Sequence, residues 1–196
     1  MKTQILAVSG LMHSGKTSVV SMIQELLEEK NYWNRQRSNQ QTYQPKLIKF
    51  AQPLYDMQEY IYKRAGIELK NKDRGLLQYL GTQWGRSIDE NLWVDLWRQE
   101  VRSHLFKSAN HTTQIVLCDD LRFDNEAKQI LDLGGKIIWV EADESTRRER
   151  SPSTFSGTNH ISESGISPEY ISLTIYNNKT LGDLKSNVKY LLEEVL

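Results

Sequence analysis

The chain has 196 residues, of which 38% are hydrophobic and 26% charged, and its 25 Lys+Arg balance 25 Asp+Glu. This is the size and composition of one globular domain with room for inserted subregions, and it carries no bulk charge to draw DNA or an anionic membrane. The single cysteine, Cys118, excludes an internal disulfide and a cysteine-based structural zinc site, and the short apolar runs exclude a transmembrane helix. The apolar stretch after Met1-Lys2 is too short for a signal peptide, so a reduced, cytoplasmic protein is expected.

Strand and helix patterns alternate almost from end to end. Gln4 to Ser9 (QILAVS) predicts a central strand. Thr17 to Lys30 predicts a helix, because Val19, Val20, Met22, Ile23, Leu26 and Leu27 recur at three- and four-residue steps. Asn31 to Gln44 is rich in Asn, Gln and Arg and reads as a solvated surface excursion. Lys46 to Ala51 (KLIKFA) predicts the second strand, and Pro53 suits the first turn of a helix ending near Gly66. Residues 67–110 hold no strand pattern and predict an inserted helical block. Within it Leu76 to Leu80 reads as one helix, and Leu92, Trp93, Leu96, Trp97, Val101 and Leu105 stripe another. Gln114 to Cys118 (QIVLC) is the third strand, followed by a helix from about Asp124 that Gly134-Gly135 stops. Lys136 to Val140 is the fourth strand, Asp143 to Arg150 a short charged helix, and Ser151 to Ser167 a Ser/Gly/Pro-rich loop. Tyr170 to Tyr176 predicts a fifth strand, and Leu181, Leu184, Val188, Leu191 and Val195 stripe the last helix. The alternation predicts an α/β fold, a three-layer arrangement with a five-stranded parallel sheet.

Between the first strand and the first helix lies Gly10-Leu11-Met12-His13-Ser14-Gly15-Lys16-Thr17, a full G-x-x-x-x-G-K-[ST] motif. Glycines let successive N–H groups turn inward as an anion nest, and the following helix adds its positive end. The loop, with His13, Ser14 and Ser18, predicts a seat for ATP. Lys16 would reach the β- and γ-phosphates, and the Thr17 hydroxyl would help hold Mg²⁺. His13 has no partner visible in sequence and reads as loop filler.

The third strand ends in Asp119-Asp120, acids placed to serve the metal or the incoming nucleophile, and the sequence leaves open which of the two acts. Cys118, on the other side of the strand from Asp119, reads as core. Arg147, Arg148 and Arg150 beside the Ser/Gly/Pro loop suit a lid over residues 143–167, since guanidinium forks stabilise a transferring phosphoryl group. The block at 67–110 is the natural acceptor site. Arg74 and Arg86 could hold an acceptor phosphate, and Gln78, four residues from Thr82, could read a base edge. Trp84, Trp93 and Trp97 offer stacking surfaces, although core packing is the better reading of Trp97 and at least one other.

These features, in order, are the Gly10–Thr17 loop, Phe50-Ala51-x-Pro53-Leu54, Leu76-Leu77-Gln78-x-Leu80-Gly81-Thr82 with Arg86 and Trp93, Asp120-Leu121-Arg122-Phe123-x-Asn125-Glu126, His160-x-Ser162-Glu163 and Ile175-x-Asn177. Together they resemble the deoxynucleoside monophosphate kinases of tailed bacteriophages, within the P-loop nucleoside monophosphate kinase group. The resemblance implies transfer of the ATP γ-phosphate to a deoxynucleoside monophosphate, in nucleotide supply for phage DNA synthesis and in the host cytoplasm. It implies Lys16 and Thr17 on ATP–Mg²⁺, and Gln78, Thr82, Arg86 and Trp93 at the acceptor. It further implies Asp120 and Arg122 near the phosphates, Arg147 and Arg150 as lid arginines, and His160 and Glu163 in the lid loop. Its partners are small molecules, with no nucleic acid or membrane, and a homodimer is compatible with it. Two other readings share the scaffold: a P-loop kinase for another small acceptor (phosphomevalonate kinase-like or dephospho-CoA kinase-like) and a nucleotide-switched binding module.

Overall fold

A computed structural model describes residues 3–37, 41–105, 111–150 and 165–196. Its centre is a five-stranded sheet of β1 (Thr3–Ser9), β2 (Thr42–Leu47), β3 (Thr112–Cys118), β4 (Lys136–Glu141) and β5 (Leu173–Tyr176). The spatial order is β2-β3-β1-β4-β5 and every neighbouring pair is parallel. The inner strands read as near-continuous apolar runs because both faces of a parallel sheet are covered.

Side chains alternate between those faces. Leu6, Val8, Ile115, Leu117, Ile138 and Val140 pack under α1 (Lys16–Gln36) and α8 (Leu181–Val195), meeting Val19, Val20, Ile23, Leu27, Leu184 and Val188. Ile5, Ala7, Val116, Cys118 and Ile137 face α5 (Leu92–Leu105) and α6 (Asp124–Asp132), meeting Val94, Trp97, Val101, Ala127 and Ile130. Cys118 is core, as expected. Helix, sheet and helix make the three layers. Among the described residues no helix is long and apolar enough to cross a membrane.

Two elements depart from the sequence reading. The polar stretch after Lys30 does not leave the fold as a loop. α1 runs on to Gln36, and the Asn31 amide both donates to the Tyr43 carbonyl and accepts from the Tyr43 N–H, each at 2.7 Å. The second strand lies at 42–47 instead of 46–51. It is an edge strand, so the absent N–H of Pro45 is tolerated where a central position would reject it. Lys49, Phe50 and Ala51 therefore fall beyond the strand's carboxyl end, just before α2 (Gln52–Ala65), which Gly66 closes in the left-handed conformation.

The block after α2 is helical, as expected: α3 (Arg74–Gln78), a π-helical stretch over Tyr79–Gly85, α4 (Arg86–Ile88) and α5. The π-helix changes the expected four-residue repeat between Gln78 and Thr82, because its turn is wider than that of an α-helix. Trp93 locks it: the indole N–H donates to the Gly81 carbonyl at 2.8 Å, and the ring lies where a Cβ on Gly85 would stand, 2.2 Å away. Gly85 has ordinary helical φ, so collision alone decides the fate of a side chain there. Gly85→Ala is expected to lose about 2–3 kcal/mol of stability, read as a lower urea midpoint. An unchanged midpoint would mean that the indole is free to move aside.

After β4, α7 (Glu144–Arg150) ends the third described segment, and a 3₁₀ turn at Pro168–Tyr170 precedes β5. β5 starts at Leu173, three residues later than the sequence pattern suggests, because Tyr170 belongs to that turn.

Candidate phosphate-binding and acceptor site

The Gly10–Thr17 loop leaves β1 at the carboxyl end of the sheet and enters α1 at Lys16. Gly10 and Gly15 take φ values of 147° and 103°, and His13 sits at 63°, so the loop curls tightly enough to turn its amides inward. A Cβ on Gly15 would meet the Asn177 amide nitrogen at 2.3 Å. Glycine is therefore required there both by conformation and by space. The Lys16 ammonium donates to the carbonyls of Gly10 and Leu11 at 2.8 and 2.9 Å, lying across the loop it serves.

A clamp holds the loop from behind. The Asn177 amide, beyond β5, donates to the Ser14 carbonyl at 2.8 Å. Arg150, the last residue of α7, donates to the carbonyls of His13 and Ser14 at 3.3 Å and to the Asn177 carbonyl at 2.8 Å. Arg150, expected as a lid arginine, is thus bound to the backbone of the loop, while the Arg147 guanidinium donates to the Ala142 carbonyl at 3.1 Å. Asn177 is quoted in the sequence motif but given no role there; its position just past a short edge strand is the signal that could have found it.

The two acids have different surroundings. Asp119 is 6% exposed. It accepts from the Thr17 hydroxyl at 3.5 Å, and Lys49 approaches its two oxygens at 2.9 and 3.1 Å. Burial on its own would lower the Lys49 pKa, but the hydrogen bond and charge of Asp119, with Asp120 behind it, outweigh burial and raise it. Asp120 turns the other way, accepting from the amides of Phe50 and Ala51 at 3.1 and 2.9 Å and from the Cys118 thiol. Burial raises its pKa in spite of those donors. Among the described residues no group of three or more His, Cys, Asp or Glu could hold a metal by itself. A hydroxyl and one carboxylate nevertheless fit Mg²⁺, which binds few protein oxygens and completes its shell with phosphates and water. Thr17 and Asp119, which meet beside the loop, offer such a pair.

The residues expected at the acceptor lie in different surroundings. Arg74 and Gln78 are exposed on α3 and Thr82 is half-buried in the π-helix. Trp93, expected as a stacking surface, is 2% exposed and packed under the π-helix, so its ring is closed to a base. Trp97 is also core, stacked on Phe50 at 4.6 Å, which leaves Trp84 as the exposed member of the three. Arg86 spans to α6. It donates to Glu126 at 2.6 Å, to Asn125 at 3.3 Å and to the Glu90 carbonyl at 3.1 Å, and its guanidinium lies 3.8 Å over the Phe123 ring. Glu126 also accepts from the amides of Arg122 and Phe123, so it ties the acceptor block to the loop after β3. His160 and Glu163 lie outside the described residues, as does the stretch 151–164 of the expected lid.

Burial pushes the Glu126 carboxyl from 4.5 up to about 7, against the Arg122 amide and the Arg86 charge. Between those values the native state holds the proton that the unfolded chain has released. Stability from this group is full below the unfolded value and lost as pH rises through the folded one. Wild type minus Glu126→Gln, measured by urea unfolding, is therefore expected to shrink by about 2–3 kcal/mol between about pH 5 and about pH 8. A difference that grows with pH would contradict this.

A family model described as deoxynucleotide monophosphate kinase matches residues 34–188. No curated protein matches the chain. Among solved structures, TT1252 from Thermus thermophilus is 16% identical over the whole of both chains with a TM-score of 0.54. A gluconokinase from Sinorhizobium meliloti 1021 is 17% identical over 98% of this chain and 95% of its own, at 0.41. A shikimate kinase from Bacteroides thetaiotaomicron is 13% identical over 98% of both, at 0.46. At such identities the likeness to TT1252 shows a shared fold.

Proposed function

We propose that this chain, which belongs to the deoxynucleotide monophosphate kinase family, transfers the γ-phosphate of ATP to a deoxynucleoside 5′-monophosphate, giving the diphosphate and ADP. A phage enzyme of this kind would supply deoxynucleotides for DNA synthesis. The observation that carries the reading beyond the family is the meeting of Thr17 with Asp119 beside the glycine loop, because it joins a phosphate nest to a metal-binding acid.

In this reading the amides of the loop bind the β- and γ-phosphates, and Lys16 leaves its two carbonyl partners for phosphate oxygens. Thr17 and Asp119 would hold Mg²⁺, which when bound would offset the negative charge of the phosphates. The clamp of Arg150 and Asn177 keeps the carbonyls of His13 and Ser14 turned back, so that the amides stay forward. An oxygen of the acceptor phosphate forms the new bond to the γ-phosphorus. The bond from that phosphorus to the bridging oxygen breaks, and the electron pair leaves with ADP. Block 67–110 holds the acceptor, with Gln78, Thr82 and Arg74 offered to it and Arg86 acting as a brace through Glu126. Residues 143–167 serve as the lid that keeps water out, with Arg147 and Arg150 at its root and His160 and Glu163 within it.

The test is a coupled ADP-release assay with ATP–Mg²⁺ against the common ribo- and deoxyribonucleoside monophosphates. Release that depends on a deoxynucleoside monophosphate supports the reading. Turnover confined to a non-nucleotide acceptor, or slow acceptor-independent hydrolysis, would overturn it.

A further inference from the structure

Lys49 is a residue to which the phosphate chemistry above gives no part, although its ammonium sits on the acid nearest Thr17. Three observations fix its place. It follows the carboxyl end of β2, on the far side of β3 from the glycine loop, because the sheet runs β2-β3-β1. Its backbone neighbours Phe50 and Ala51 are pinned by both oxygens of Asp120, so the segment is a held corner and not a loose loop. Its side chain is 26% exposed, whereas that of Asp119 is 4% exposed. The carboxylate is thus largely covered, and the lysine side chain keeps an open side.

One carboxylate touches both Thr17, which opens the donor side, and Lys49, which stands one residue before the Phe50–Ala51 corner that leads into α2. In turn α2 packs on the acceptor block, with Leu54 beside Gly81 and the Gln58 amide donating to the Asp73 carbonyl at 2.8 Å. Ligands of open α/β sheets settle beyond the carboxyl ends of the strands, and that is where this cation lies. An ammonium carries three N–H donors. One hydrogen bond runs to the Asp119 Oδ2 at 3.1 Å, while Oδ1 meets the ammonium as an ion pair at 2.9 Å, and a further donor suits an anion arriving from the open side. Of the two cations expected to hold the acceptor phosphate, Arg74 is exposed on α3, and Arg86 spends its guanidinium on Glu126, Asn125 and the Glu90 carbonyl.

We propose that Lys49 is a catalytic residue that binds the phosphate of the acceptor monophosphate and steadies its attacking oxygen beside the γ-phosphate. The proposal rests on the kinase reading above. Lys49 keeps its proton throughout; it gives hydrogen bonds and charge, while the bond made and the bond broken remain those at the γ-phosphorus. The role of a mere counter-ion to Asp119 makes different predictions, because such a residue would act on the donor side and on stability.

The experiment measures binding as well as turnover. Wild type is first titrated calorimetrically with dAMP, dGMP, dTMP and dCMP and with a non-hydrolysable ATP analogue. If none of the four monophosphates binds or turns over, the kinase reading fails, and the Lys49 proposal, which rests on it, falls with it. Where one does, Lys49→Gln retains an amide donor for Asp119 and removes the charge. It is expected to weaken binding of that monophosphate and raise its KM by about 10–100-fold, the worth of one charge-assisted hydrogen bond. Binding of the ATP analogue should change by less than about threefold, because the donor phosphates lie on the Thr17 side. Lys49→Arg, which keeps the charge and secures the fold if the glutamine variant is poorly folded, is expected to recover monophosphate binding to within about tenfold of wild type. Equal losses for both nucleotides, a loss confined to the ATP analogue, or a fall in melting temperature with unchanged monophosphate affinity would each overturn the proposal. So would an arginine variant that binds the monophosphate no better than the glutamine one.

Discussion

Replacing Lys16 by alanine is expected to lower kcat by about 10²–10³-fold, the cost of removing one preorganised charged contact to a transferring phosphoryl group. The ammonium now bonds the carbonyls of Gly10 and Leu11, groups at a half-exposed loop that water can serve in its absence. Stability should therefore move by no more than about 1 kcal/mol. Parallel kinetics and urea unfolding check both halves. Unchanged kcat would remove Lys16 from the chemistry, and a collapse of stability would make its role structural.

Asp119→Asn should cut kcat by about 10²-fold or more and raise the Mg²⁺ concentration needed for half-maximal rate, because the amide keeps the shape and loses the anionic metal ligand. Its stability cost is smaller, about 1 kcal/mol, since Lys49 remains partly in water and can be solvated there. Asp120→Asn is the matching control. That carboxylate is engaged with the amides of Phe50 and Ala51, so its loss should loosen the corner before α2 and lower stability more than it lowers kcat at saturating Mg²⁺. The reverse ordering of the two variants would assign the metal to Asp120.

The central features were legible because local chemistry and long-range structure agree there. The glycine loop needs its residues at fixed spacing, and the strands of a sheet covered on both faces must be apolar throughout, so Gln4–Ser9 and Gln114–Cys118 announce themselves. The two adjacent acids were legible as a pair, but their division of labour was not. It depends on the register of β2 against β3, which brings the corner at Phe50 and Ala51 to Asp120.

β2 itself was misplaced because TYQPKL is polar and contains a proline, while the following LIKFA looks more like a strand. The edge position excuses the first; the second is apolar because Ile48 and Phe50 pack into the core beyond the strand's end. Reading LIKFA as strand also hid Lys49 as one more alternating polar residue. Arg86 and Trp93 stand in the motif, but their packing was not legible from it. Nothing in their spacing reveals that α6 comes alongside with Glu126, or that Gly81 and Gly85 clear a slot for an indole. Those partners are 40 and 12 residues away in sequence at most, and only packing makes them neighbours.

The account stands most directly on where its two guests sit. A crystal structure with a non-hydrolysable ATP analogue, Mg²⁺ and whichever monophosphate supports ADP release measures this in one view. The account predicts the triphosphate in the Gly10–Thr17 loop, the metal between Thr17 and Asp119, and an acceptor oxygen about 3–3.5 Å from the γ-phosphorus, in line with the leaving oxygen. A triphosphate bound away from that loop, or an acceptor lodged too far from it for direct attack, would contradict the account.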